Sequence, residues 1–469
     1  MTDTLMVGVS GVRGIVGKDL TADVVTRWAR AFGLWLREGT SAGGPGPGTS
    51  VVLGRDARTS GPMFAAAVTA GLNSVGCDVI DIGLVPTPTL QLAVEHHRAG
   101  GGIAITASHN PIEWNALKFI GPDGIFLDGI DGARVHELAR KDGGGGGKAE
   151  GGEVSRDDGA IERHLQAVLA LPAVDIDRIR NGKFTVALDA VRGAGGPVMR
   201  TLLERMGCEV AGINLETDGH FPRAPEPIPE NLGGLSTLVT RAGAALGIAV
   251  DPDVDRLAIV DETGTPIGED YTLAFAVRAV VAGTGETGDR KRIVVCNLST
   301  SLVVEDAARD CGAEVVRTPV GEVHVARTIV RLGAAIGGEG NGGVMYPALH
   351  VGRDAPVAAA LLLTLLARDG RRVSELVGAA PRYAIVKAKA ERGTRKGERG
   401  LEDVYAALRK RFPEASVDTQ DGLRLAWRDR WLHVRPSNTE PIIRFIAEAL
   451  SGAGAKELVD EARRVCAAS

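Results

Sequence analysis

The sequence predicts an α/β protein: three related α/β domains with mixed or parallel sheets, followed by a smaller C-terminal α+β domain, set around a central cleft. Three observations lead there. The chain has 469 residues, whereas single hydrophobic cores stop growing near roughly 250–300 residues. A strand, turn, helix and strand unit recurs three times along it. From about Pro381 onward the pattern changes to many charges on helical spacing, closed by a strand-like stretch, Trp431-Leu432-His433-Val434.

The first copy of the unit runs from Val51-Val52-Leu53 through the turn Gly54 to Ser60 and a helical stretch to Gly76-Cys77-Asp78-Val79-Ile80. The second runs from Phe184-Thr185-Val186-Ala187-Leu188 to Gly207-Cys208-Glu209-Val210, the third from Ile293-Val294-Val295 to Gly312-Ala313-Glu314-Val315-Val316. In each, a short apolar run supplies a buried strand, an amphipathic segment supplies the crossover helix, and a glycine ends that helix. Units of this kind build parallel sheets covered by helices on both faces, with ligand sites beyond the carboxyl ends of the strands.

Composition narrows the class. Apolar content of 44% and charged content of 24% are those of a globular chain. The 63 glycines are nearly twice the usual share, and Gly39 to Gly48 and Gly143 to Gly147 read as flexible connections. A net charge of −5 offers no broad attraction for nucleic acid or anionic lipid, so neither is expected as a partner. The five cysteines have no C-x-x-C spacing, which indicates neither a disulfide framework nor a zinc site. Met1 to Leu20 lacks a continuous apolar run, and the most apolar stretch, Val357 to Ala367, is about half the ~20 residues needed to span a bilayer. A cytoplasmic protein is expected.

The chemistry is carried by four stretches. Thr106-Ala107-Ser108-His109-Asn110-Pro111 follows the apolar run Gly102 to Thr106, so the Ser108 hydroxyl should stand at a strand's carboxyl end; an ordinary turn serine is the duller reading. His109, its immediate neighbour, is expected to point away, which opposes a Ser-His-Asp triad. Asp251, Asp253 and Asp255 follow the strand-like Leu246 to Val250. Alternate residues of an extended segment share one side, so the three carboxylates can converge on one Mg²⁺. A calcium loop competes, because Glu262 falls at position 12 counted from Asp251; Arg256 in place of the required glycine at position 6 opposes it. An aspartyl-phosphate hydrolase and a solvated acidic turn are the other readings.

Gly337-Gly338-Glu339-Gly340-Asn341-Gly342-Gly343 surrounds a carboxylate and an amide with glycine, which lets backbone approach a ligand closely; a plain flexible loop is the alternative. Arg435-Pro436-Ser437-Asn438-Thr439-Glu440-Pro441 gathers a guanidinium, two hydroxyls and an amide, with Arg444 close behind, donors suited to a phosphate dianion. Lys118 and Arg13 are unremarkable alone.

In this order the four motifs closely resemble the α-D-phosphohexomutase superfamily, along essentially the entire chain. The resemblance implies a fold of four domains, expected at residues 1–155, 156–258, 259–378 and 379–469. It implies that Ser108 is the phosphoserine and that, with Asp251, Asp253 and Asp255, it binds one Mg²⁺. It further implies that Glu339 and Asn341 bind the sugar, that Arg435, Ser437, Asn438 and Thr439 bind phosphate, and that Arg13 and Lys118 assist charge stabilisation and proton transfer. Arg256, beside the aspartates, is a further cation for a site that phosphoserine would leave negative. The implied activity moves phosphate between C6 and C1 of a hexose phosphate through a hexose 1,6-bisphosphate, in a monomer or homodimer. Ser10 to Gly14, Pro225 to Leu232 and Gly338 to Gly343 look most like members labelled phosphoglucosamine mutases, with phosphoglucomutases and phosphomannomutases as close alternatives. A sugar-phosphate phosphatase and a sugar-phosphate sensor are the competitors from other classes. Several branches have histidine where this chain has Gly343, and His324 or His350 are the candidates to compensate.

Overall fold

The computed structural model describes residues 5–39, 48–141, 151–282, 292–391, 400–437 and 442–468. The glycine run Gly143 to Gly147 and nearly all of Gly39 to Gly48 lie outside the described residues, as do Asn438 and Thr439.

All three copies of the repeated unit form parallel strand pairs joined by a helix. Ser50–Arg55 pairs with Asp78–Leu84 across helix Gly61–Asn73, Thr185–Asp189 with Glu209–Ile213 across Gly195–Arg205, and Arg292–Asn297 with Ala313–Thr318 across Leu302–Asp310. Gly76, Gly207 and Gly312, just beyond those helices, all have positive φ, between 72° and 85°. A side chain there would be strained, which is why the same residue closes each copy.

Among the described residues the strands form four sheets, of seven, four, four and five strands. The first three are mixed, as expected. In the first, Gly101–Ile105 runs parallel to Ser50–Arg55 and antiparallel to Trp114–Ile120, which pairs in turn with Gly11–Ile15. That order sets Arg13 opposite Ala116 and Gly11 opposite Lys118, so two candidate cations stand on neighbouring strands. The fourth sheet is antiparallel and flanked by helices Leu401–Arg411 and Gly452–Ala468. The expected divisions at 155/156 and 258/259 fall inside strands Val154–Arg156 and Leu257–Asp261, each hydrogen-bonded to the sheet that precedes it.

The second and third sheets share one continuous apolar core through helix Ala355–Asp369, whose face from Ala355 to Leu366 is wholly buried. The expected apolar stretch Val357 to Ala367 is therefore core, and no helix among the described residues is long and apolar enough to cross a membrane. The C-terminal unit keeps a separate core around Leu408, Leu432 and Phe445.

A buried polar junction ties the first three units together. Asp354 caps the N-terminus of helix Ala355–Asp369 by accepting from Val357 N at 3.0 Å. Its Oδ2 also accepts from His164 Nε2 at 2.8 Å and His350 Nε2 at 2.9 Å, while Thr89 Oγ1 lies 2.8 Å from His164 Nδ1. Although burial opposes it, the two imidazoles hold the Asp354 carboxyl below the ordinary range.

Candidate active site

Ser108 follows strand Gly101–Ile105 on a tightly held loop. Its φ is +48°, a left-handed conformation that costs an L-residue free energy and persists only where the surroundings impose it. They do so through Arg58, which is fully buried. Arg58 Nη2 donates to Ser108 O at 2.7 Å and Asn110 O at 2.6 Å, and Nη1 donates to Pro111 O at 2.7 Å and Trp114 O at 2.9 Å. Asp56 accepts from Arg58 Nε at 3.2 Å and from Thr106 Oγ1 at 2.7 Å, and Thr106 Oγ1 accepts from Ser108 N at 2.9 Å. One guanidinium thus satisfies four carbonyls of the serine loop.

Across the cleft, strand Leu246–Val250 ends in the acidic loop. Asp251, Asp253 and Asp255 are at most 1% exposed, and each offers a carboxylate oxygen within 4.8 Å of the others. They converge by a turn rather than by extended alternation: Val254 has φ +62° and donates its N–H to Asp251 O at 3.1 Å. Ser108 Oγ donates to Asp251 Oδ2 at 2.7 Å, so the hydroxyl and the acidic trio are neighbours despite a separation of 143 positions in sequence.

Unit charges about 4 Å apart at an effective dielectric near 20 repel by about 4 kcal/mol per pair. Lys118 offsets part of this, with Nζ 2.7 Å from Asp253 Oδ2 and 3.8 Å from Asp255 Oδ2. Burial works against its ammonium, but Asp253 and Asp255 outweigh burial and raise the Lys118 pKa above its ordinary value. Thr87 Oγ1 also donates to Asp253 Oδ2, at 2.9 Å. Burial and then the neighbouring Asp255 and Asp253 push the Asp251 carboxyl well above the usual range, whereas burial fails to outweigh Lys118 at Asp253, which is held low. Two buried oxygens, Asp253 Oδ1 and Asp255 Oδ1, have no hydrogen-bond partner among the described residues. Arg256 Nε lies 3.7 Å from Asp255 Oδ1, too far for a hydrogen bond. Carboxylate oxygens without hydrogen bonds in a dry site are costly, and an all-oxygen donor set suits a hard divalent cation, so these residues fit Mg²⁺.

The residues meet at a cavity of about 390 Å³, lined by Ser108, Lys118, Arg13, Arg256, Glu339 and Asn341, and also by Arg353, Glu322 and His324. Arg13 Nη1 donates to Asn110 Oδ1 at 3.3 Å, and Arg256 Nη1 lies 3.6 Å from Glu226 Oε1. Glu339 accepts from Asn297 Nδ2 at 2.8 Å on one oxygen and from Arg353 Nη1 at 3.0 Å on the other. Arg435 and Ser437 do not line this cavity. Arg435 Nε lies 3.0 Å from Asp421 Oδ2, and Asp421 accepts from Val320 N on the cavity's rim at 3.1 Å.

Two histidine expectations change. His109 does not point away: its Nδ1 lies 3.4 Å from Ser108 Oγ, because the left-handed turn at Ser108 brings the next side chain round. Nearby Arg256, then burial, then Arg13 lower its pKa to about 2, so it is a neutral neighbour. His350 is held in the interdomain junction by Asp354 and Gly352, leaving His324 as the histidine of that pair on the cleft. Arg58, Thr87, Glu322 and Arg353 went unread in the sequence. Arg58 carried one signal, its place in the turn after the first repeated strand, where ligand-facing loops lie.

Family models for phosphoglucomutase/phosphomannomutase match in order: α/β/α domain I at residues 4–142, domain II at 162–264, domain III at 268–383 and the C-terminal domain at 386–465. The chain is 39% identical to a protein of Methanopyrus kandleri named "Probable phosphoglucosamine mutase" over 97% of this chain and 96% of that one. It is 38% identical to a "Phosphoglucomutase/phosphomannomutase" of Thermococcus kodakarensis, again over 97% and 96%. The crystal structure of a phosphoglucomutase/phosphomannomutase family protein from Burkholderia thailandensis superposes with a TM-score of 0.80 at 27% identity, covering 99% of this chain and 97% of that one. With four domain matches in sequence and relatives along nearly its whole length, the chain belongs to the phosphoglucomutase/phosphomannomutase family of α-D-phosphohexomutases, and is a phosphohexomutase.

Proposed function

We propose that this phosphohexomutase converts glucosamine 6-phosphate to glucosamine 1-phosphate through a phosphoserine at Ser108 and a hexose 1,6-bisphosphate intermediate. The observation that carries the serine assignment is the 2.7 Å contact between Ser108 Oγ and Asp251, which sets the hydroxyl against the acidic trio. The sugar assignment is supported by relatives named as phosphoglucosamine mutases at 39% and 36% identity. The 38% identical phosphoglucomutase/phosphomannomutase favours the second reading, a glucose or mannose phosphate.

In the first half-reaction a hexose hydroxyl attacks the Ser108 phosphoryl group, forming one P–O bond as the bond to Ser108 Oγ breaks, and the hydroxyl proton ends on Ser108 Oγ, which leaves as the alcohol. In the second, Ser108 Oγ takes the phosphoryl from the other end of the reoriented bisphosphate, and the serine proton ends on the freed hexose oxygen. Such transfers depend on positioning and charge stabilisation. Ser108, Asp251, Asp253 and Asp255 would hold Mg²⁺, which when bound neutralises charge on the phosphoryl group. Lys118 remains an ammonium and, with Arg256 and Arg13, supplies the cations facing that group. Glu339 and Asn341 receive the sugar hydroxyls; Arg435, Ser437, Asn438 and Thr439 grip the phosphate that is not being transferred. Because that grip lies on a unit with its own core, a hinge near Gly378 to Pro381 would let the cleft open enough for the bisphosphate to turn. The four domains are assigned at about the expected divisions, with Val154–Arg156 and Leu257–Asp261 kept in the units whose sheets they join.

Two measurements test this. Ser108→Ala should lose mutase activity with the bisphosphate activator supplied; full activity in that variant would refute the phosphoserine. A coupled assay on glucosamine 6-phosphate, glucose 1-phosphate and mannose 1-phosphate should favour the first, and comparable rates on all three would reject a dedicated glucosamine enzyme.

A further inference from the structure

Arg353 is 7% exposed and faces three carboxylates from three different segments. Its Nη2 donates to Asp255 Oδ2 at 2.5 Å, its Nη1 donates to Glu339 Oε2 at 3.0 Å, and its Nε lies 2.9 Å from Glu322 Oε2. Asp255 belongs to the acidic loop, Glu339 to the glycine-rich loop, and Glu322 begins helix Glu322–Leu332. Backbone already ties these segments: Leu257 N donates to Gly342 O at 3.0 Å, Asp354 N to Val344 O at 2.9 Å and Ala355 N to Val254 O at 3.2 Å. Those bonds hold the loops together without setting where the carboxylates point. The planar guanidinium does that, since its fixed fork of donors presents several oxygens at set angles.

The stem of Arg353 needs room, and Gly343 supplies it. A Cβ at position 343 would lie 2.3 Å from Arg353 Cδ and 2.8 Å from Cγ. These atoms belong to the shaft of the side chain, so the whole arginine would have to move. The adjacent Asp354, locked in the junction with His164 and His350, limits how far the backbone can yield.

We propose that Arg353 is a positioning residue that holds the acidic loop's Asp255 and the sugar loop's Glu339 in one fixed relation, and that position 343 is glycine because the arginine shaft occupies its side-chain volume. The kinetic part of this inference rests on the mutase reading above; the structural part does not.

The test is a double-mutant cycle with Gly343→Ala and Arg353→Ala. Misplacing reacting groups by about 1 Å can cost about 10²-fold in rate, so each single variant should lose about that much in kcat. KM should stay within about threefold, because the interaction lost is one of alignment. The double variant should be no slower than Arg353→Ala alone, since that truncation removes the Cγ and Cδ that the new alanine would have to displace. A crystal structure of Gly343→Ala should show the guanidinium withdrawn from Asp255 and Glu339, and calorimetric titration with glucosamine 6-phosphate should show that each variant still binds. Losses that multiply in the double variant, a KM rise at unchanged kcat, or an undisturbed Arg353 in Gly343→Ala would overturn the proposal. A wild-type protein without mutase turnover would instead sink the mutase reading, and the Gly343→Ala structure would still decide the clamp.

Discussion

Arg58 and Ser108 lie 50 positions apart, yet Arg58 Nη2 donates to the Ser108 carbonyl at 2.7 Å. The candidate nucleophile is thereby held in a left-handed turn by a charge that never reaches the cleft. Its carboxylate partner among the described residues, Asp56, is equally buried.

Arg58→Met should therefore damage stability and activity together. Removing one member of a buried ion pair typically costs about 3–5 kcal/mol, and four loop carbonyls lose their donor as well. Denaturant unfolding should report the first loss. Residual turnover at low temperature, where the variant stays folded, should report the second. A variant of wild-type stability would show that the loop holds its shape without the guanidinium.

Mg²⁺ should stabilise the folded protein measurably. At a free concentration 100 times its dissociation constant, a ligand of the native state adds about 2.7 kcal/mol. Thermal melts with Mg²⁺ and with a chelator should differ accordingly, and Asp253→Ala combined with Asp255→Ala should erase the difference. An unchanged Mg²⁺ response in that double variant would place the cation elsewhere.

Lys118→Met should lower kcat by about 10²–10³, the range seen when one preorganised donor to developing charge is removed. The salt bridge to Asp253 makes this a charge effect, so Lys118→Arg should retain more turnover than the methionine variant. Equal rates in the two variants would argue against an electrostatic role.

Asp270, outside the acidic trio, gives a pH prediction. It lines a cavity of about 170 Å³ with Glu269 and Glu448 and accepts from Ser301 N at 2.8 Å. Burial, only partly countered by that bond, raises its pKa to about 8. The folded state thus keeps a proton that the unfolded chain releases near pH 4, so this contribution is full below about pH 4 and is lost as pH rises to about 8. Asp270→Asn keeps an oxygen for Ser301 and removes the charge. Its melting temperature should gain on the wild type between pH 5 and pH 8, by about 2–4 °C for each kcal/mol. A constant gap across that range would reject the assignment.

The parallel units were legible because each is local: an apolar run, an amphipathic stretch and a glycine within about one supersecondary motif. Ser108 and the aspartates were legible for a related reason, since both follow short apolar runs that do form strands. Arg58, Thr87 and Arg353 were not. Each works through contacts between residues far apart in sequence, separations of 50, 166 and 98 positions among them, and a lone arginine or threonine carries no periodicity to mark it. The turn at Val254 was also hidden, because a β-branched residue at positive φ runs against its local preference and is imposed by neighbours, including Ala355 N on Val254 O. His109 was misjudged for the same reason: its direction depends on the Ser108 backbone, which Arg58 sets.

The polar link from Thr89 through His164 and Asp354 to His350 joins three of the four units and contains no group that faces the cleft. Substitutions there would behave as remote lesions, disturbing Arg353 next door while leaving every residue around the sugar chemically intact. A variant library screened for turnover should therefore recover inactive clones at His164 as readily as in the cleft itself. Proteolytic fragments ending before Asp354 should forfeit the whole catalytic centre at once.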